Sequence, residues 1–144
     1  MGSGKEVLSH KQIAAKVTTY VDIGIKELVE LLNTFDNVWT FESCEGGHGE
    51  QAYICLYYGE KGKTSFSKVA YFAHKVARLL SERIEHARDL IPSEYEVTLS
   101  IEWRGDKKHP FILIEMPSDS IREITNIFYD VRREFCYDTC DKQR

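Results

Sequence analysis

The run Tyr95-Glu96-Val97-Thr98-Leu99-Ser100-Ile101-Glu102-Trp103-Arg104-Gly105-Asp106-Lys107-Lys108-His109-Pro110-Phe111-Ile112-Leu113-Ile114-Glu115-Met116 decides the fold. Val97, Leu99, Ile101 and Trp103 alternate with Glu96, Thr98, Ser100 and Glu102, the period of a strand with one buried face. Gly105-Asp106-Lys107-Lys108 is a turn signal, and Phe111 to Met116 reads as the return strand, so the segment predicts a β-hairpin.

Upstream, the spacing of Val69, Phe72, Ala73, Val76, Leu80, Ile84, Ala87 and Ile91 predicts a long amphipathic helix that ends at Pro92. Before it, residues 38 to 44 and 51 to 58 carry Val, Trp, Phe, Tyr and Ile in alternation and predict a first hairpin. Ile25, Leu28, Val29, Leu31 and Leu32 predict an opening helix, with Asp22 as N-cap and Asn33 near its end. Downstream, Pro117-Ser118-Asp119 opens a last helix with Ile121, Ile124, Ile127, Phe128 and Val131 as its buried stripe.

The order is αββαββα, and the expectation is one α+β domain over residues 1–144 with loose ends, a two-layer fold with a mainly antiparallel four-stranded sheet. The helices are expected to cover the face bearing Trp39, Phe41, Ile54, Leu56, Val97, Leu99, Ile101, Trp103, Ile112 and Ile114. The opposite face would carry Thr40, Glu42, Tyr53, Tyr57, Thr98, Ser100, Glu102 and Glu115. That composition is too polar for a closed core and too aromatic for a plain wet surface, which leaves a ligand face, a homo-oligomer interface or a partly wet sheet open.

The 144 residues carry a net charge of −4, with 42% hydrophobic and 29% charged residues. This balance disfavours broad attachment to nucleic acid, which rests on Lys and Arg neutralising phosphates. Arg78, Arg83 and Arg88 also alternate with Glu82, Glu85 and Asp89, the pattern of a solvated helix face. No apolar run reaches the roughly 20 residues of a membrane helix, and the start lacks the pattern of a secretory signal, so a cytoplasmic protein is expected. The four cysteines, Cys44, Cys55, Cys136 and Cys140, are spaced too irregularly for a disulfide framework.

Chemistry is concentrated in Thr40-Phe41-Glu42-Ser43-Cys44-Glu45-Gly46-Gly47-His48-Gly49-Glu50, at the tip of the first hairpin. Glycines let such a loop take positive φ and approach a ligand, beside a thiol, an imidazole and three carboxylates. Thr40, Glu42, Ser43, Cys44, Glu45, Gly46, Gly47 and His48 are therefore the candidate ligand-binding residues. Cys44 and His48, with Cys136 and Cys140, have the ligand types for zinc, but their spacing departs from the usual zinc knuckle and no metal is expected. A Cys44–His48 nucleophile and base needs hydrogen-bond reach that spacing does not establish. Lys61, Gly62, Lys63 and Thr64, before the long helix, form a candidate anion site, although the P-loop pattern lacks its first glycine, because Tyr57 stands there.

Val21-Asp22, Glu27-Leu28-Val29, Leu31-Leu32-Asn33, Thr40 and Ser43-Cys44-Glu45-Gly46 together resemble the start of the wybutosine-synthesis methyltransferase family of tRNA-modifying proteins. The likeness spans about residues 21–46 and rests on a helix ending in Asn, a strand with Thr and a Ser-Cys-Ser-Gly-Arg type loop. Where that loop has Ser and Arg, this chain has Glu45 and Gly47 followed by His48. The resemblance implies S-adenosylmethionine as cofactor, methyl transfer to a guanosine-derived base of tRNA, and the Ser43-Cys44 loop in the ligand site. The alternative is a non-catalytic ligand-binding or oligomerisation module.

Overall fold

The computed structural model describes residues 21–60, 65–86 and 95–135. The predicted anion turn at Lys61, Gly62, Lys63 and Thr64, the helix positions Ala87 to Pro92, and Cys136 and Cys140 lie outside the described residues.

A 3-10 turn at Ile23–Ile25 leads into α1 (Lys26–Leu32), then β1 (Val38–Cys44), β2 (Ala52–Tyr58), α2 (Phe66–His86), β3 (Glu96–Arg104), β4 (Lys107–Met116) and α3 (Ile121–Asp130). The fold is α+β, in the predicted αββαββα order. The four strands form one antiparallel sheet in the order β1-β2-β4-β3. Both hairpins follow from local chemistry. The two-residue turn at Gly105 and Asp106 has Gly105 at φ 65° and joins Arg104 to Lys107, the geometry in which turn and strand twist agree.

α2 buries Val69, Phe72, Ala73, Val76, Leu79, Leu80 and Ile84, a stripe at helical spacing, against the sheet. Its first turn is capped by Ser65, whose Oγ accepts the Lys68 N–H at 3.3 Å. Beneath the helices lie Ala52, Ile54 and Leu56 of β2 and Ile112, Ile114 and Met116 of β4, all buried. Phe135, beyond α3, stacks on Phe35 at 4.9 Å and meets Phe72 edge-on at 5.5 Å, tying together the ends of three helices.

The faces depart from simple alternation in β1. Thr40 pairs with Leu56 and Glu42 with Cys55, so a β-bulge inserts Phe41. It reverses the phase of the residues after it, so Glu42 and Cys44 join the open face and Ser43 turns inward opposite Ile54. Trp39, opposite Tyr57, and Phe41, stacked on Tyr57 at 4.3 Å, lie on the open face rather than, as expected, under the helices. Thr40 moves the other way. The Asn33 side chain, at the end of α1, donates to Thr40 Oγ1 at 2.8 Å and to Val29 O at 3.0 Å, and accepts the Thr40 N–H at 3.0 Å. Thr40 is therefore held against α1, and its amide, which faces the outer edge of β1, finds its partner there. Ile101 and Trp103 do share the helix face with Leu99, but they run past the cover of α2 and stay 42% and 63% exposed.

Candidate functional site

The first hairpin ends in the tightest turn available. Gly47 and Glu50 exchange backbone hydrogen bonds of 3.0 and 2.9 Å around His48 and Gly49, whose φ values of 53° and 88° are those of a type I′ turn. One step back, Gly46 has φ 73°, and a Cβ there would sit 2.7 Å from both Ala52 N and Glu50 O. Only glycine fits that position. The base of the loop is therefore shaped by backbone packing at Gly46.

That shape distributes the predicted ligand residues. Glu42 lies on the open face, where its carboxylate accepts the Tyr53 hydroxyl at 2.9 Å. Cys44, opposite Tyr53 and half-buried, shares that face, and its Sγ accepts the Gly46 N–H at 3.4 Å. Ser43 pairs with the core residue Ile54 and faces the helices with Thr40. Glu45 points to the segment that leads into α1. Its N–H donates to Asp22 Oδ2 at 3.0 Å and its Oε1 accepts the Gly24 N–H at 2.7 Å, so the two segments clasp each other reciprocally. Asp22, predicted as an N-cap, thus spends its carboxylate on Glu45. His48 is exposed at the tip and makes no hydrogen bond with Cys44, which leaves no nucleophile and base pair in this arrangement. Among the described residues no cluster of three His, Cys, Asp or Glu could hold a metal.

The open face gathers side chains that lie far apart in the sequence. Tyr57 lies between Phe41 and the polar group Glu102 and Arg104: the Arg104 guanidinium donates to the Tyr57 hydroxyl and, at 3.0 Å, to Glu102. Phe111 meets Phe41 edge-on at 5.4 Å. Alternation groups Trp39 with Phe41 but does not say which side the helices cover, and the register of β1 on β2, with Trp39 opposite Tyr57 and Thr40 opposite Leu56, puts both rings on the open side, against the expectation. Phe111 and Leu113 carry a usable signal, four and two positions from Glu115 on an unbroken strand.

Several groups of this face have raised pKa values. The hydrogen bond to the Glu42 carboxylate pushes the Tyr53 hydroxyl up to about 12, because ionised Tyr53 would lose it and face a like charge. Burial pushes the Cys55 thiol up to about 11, with Glu42 and Glu115 adding to the effect. Burial also raises Tyr57, against the pull of Arg104. Glu115 is raised first by desolvation and then by Glu96, its direct cross-strand neighbour. Cys55 is thus an inert thiol, and the row Cys44, Tyr53, Glu115 and Glu96 forms an acidic end of the face. At that end an open hollow of ≈ 740 Å³ lies between the hairpin tip, Gly47 to Gln51, the start of β3 at Tyr95 and Glu96, and Pro117 to Asp119. No helix among the described residues is long and apolar enough to cross a membrane.

No family model, curated protein or solved structure matches this chain.

Proposed function

We propose that this protein binds a small, positively charged molecule bearing a flat ring system at the acidic end of its open sheet face, and that S-adenosylmethionine is that molecule. One observation carries the reading: rings and carboxylates occupy neighbouring rows of a sheet face that no described element covers, Phe41, Tyr57 and Phe111 beside Glu42, Glu96 and Glu115, next to a hollow lined by the glycine hairpin. Aromatic faces and carboxylates both attract a cation, a sulfonium included, and rings stack on a nucleobase. The resemblance of residues 21–46 to the wybutosine-synthesis family supports the choice of ligand, and methyl transfer to tRNA is the reaction that resemblance implies. The formal charge of −4 supports a compact contact with a substrate over an extended RNA track.

Thermal unfolding with S-adenosylmethionine tests this directly. At about a hundredfold excess over Kd, a ligand bound only by the folded chain adds roughly 2.7 kcal/mol, which raises Tm by several degrees. S-adenosylhomocysteine, which lacks the sulfonium charge, is expected to give a smaller rise. An unchanged Tm with S-adenosylmethionine at millimolar concentration refutes the proposal.

Self-association, the other expectation for this chain, is supported by a separate observation: Ile101 and Trp103 stand exposed on an edge strand.

A further inference from the structure

The two edges of this sheet are built differently. β1 is broken by its bulge, and the Thr40 amide is bonded to Asn33. Bulges of this kind blunt an edge against pairing. β3 has no such device. Its nine residues run from Glu96 to Arg104 without a proline, in unbroken register with β4, and no described strand lies on its outer side. Ile101 and Trp103 add an apolar strip that α2 does not reach.

We infer that β3 pairs antiparallel with β3 of a second copy of the chain, about a two-fold axis at Ser100, to form a continuous eight-stranded sheet. This rests on the self-association reading and gives it an interface. The register follows from the side chains. Centred on Ser100, Glu96 opposes the partner's Arg104 and Thr98 opposes the partner's Glu102 on the open face. On the helix face Leu99 opposes the partner's Ile101, and Val97 opposes the partner's Trp103, so the exposed strip is covered by apolar neighbours. A centre at Leu99 would set Glu96 against the partner's Glu102, and one at Ile101 would set it against the partner's Asp106. Only the Ser100 centre uses all nine residues and opposes unlike charges. The contact leaves the open sheet face free for a ligand. Its area is at the small end of specific interfaces, so association is expected in the micromolar range or weaker.

Sedimentation velocity on the full chain over a concentration series tests the inference, with circular dichroism to establish that each variant folds. The wild type is expected to dimerise. Glu96→Arg and Arg104→Glu, each of which opposes like charges twice across the two-fold, are expected to weaken the dimer roughly tenfold, and the double variant is expected to restore it. A monomer at every concentration overturns both the interface and self-association. A dimer whose strength ignores the single reversals, or is not recovered in the double variant, overturns the β3 interface and leaves self-association standing.

Discussion

Replacing Gly46 by alanine is expected to cost about 3 kcal/mol of stability. Two terms add. An L-residue at φ 73° pays roughly 1–2 kcal/mol for the left-handed conformation. The new Cβ would also lie 2.7 Å from Ala52 N and Glu50 O and 2.8 Å from the Gln51 carbonyl carbon, all backbone atoms that cannot rotate away. Overpacking of this kind costs about 1–3 kcal/mol. Gly49 provides the internal control: at φ 88°, with no atom within 4 Å of an added methyl, Gly49→Ala carries the conformational term alone. Urea and thermal unfolding followed by far-ultraviolet circular dichroism measure both. At this chain length Gly46→Ala should lower Tm by roughly 10 °C and Gly49→Ala by about a third to a half of that. Equal losses in the two variants would refute the argument that the loop is shaped by close backbone packing at Gly46.

Two further outcomes test the buried lock and the acidic row. Asn33→Ala removes three hydrogen bonds and strands the Thr40 amide, so a loss of about 2–4 kcal/mol is expected in the same urea experiment, and a loss below about 1 kcal/mol would show that water replaces Asn33. Glu115 has a raised pKa, so its folded form holds the proton more tightly than the unfolded chain; stability is higher below the ordinary carboxylate pKa of 4.5 and falls as pH rises through the raised value. Glu115→Gln should therefore gain a few tenths of a kcal/mol at neutral pH, by removing a like charge opposite Glu96, and the gain should vanish in acid. A gain that is independent of pH sinks that assignment.

The second hairpin was legible because its alternation is unbroken from Val97 to Trp103 and its turn needs glycine where Gly105 stands. The long helix was legible for the same reason, since a stripe at helical spacing has few other uses. The candidate loop was legible as a place, a glycine tip with reactive side chains, and its partition was not. Thr40 and Ser43 face the helices, Glu42 and Cys44 face out, and Glu45 is committed to Gly24, twenty-one residues earlier. Periodicity carries no information about a contact of that separation.

Local chemistry in the sequence thus determined the elements, their order, the turns and most of the buried stripe, because each depends on residues a few positions apart. The tertiary structure alone decided the strand order β1-β2-β4-β3, the register that puts Trp39 and Phe41 on the open face, and the bulge at Phe41 that brings Glu42 to the same face. The reason is physical. One residue inserted into a strand reverses the side of every later side chain, here Glu42, Ser43 and Cys44, and the Asn33 side chain that bonds the Thr40 amide beside the bulge comes from the end of a different element.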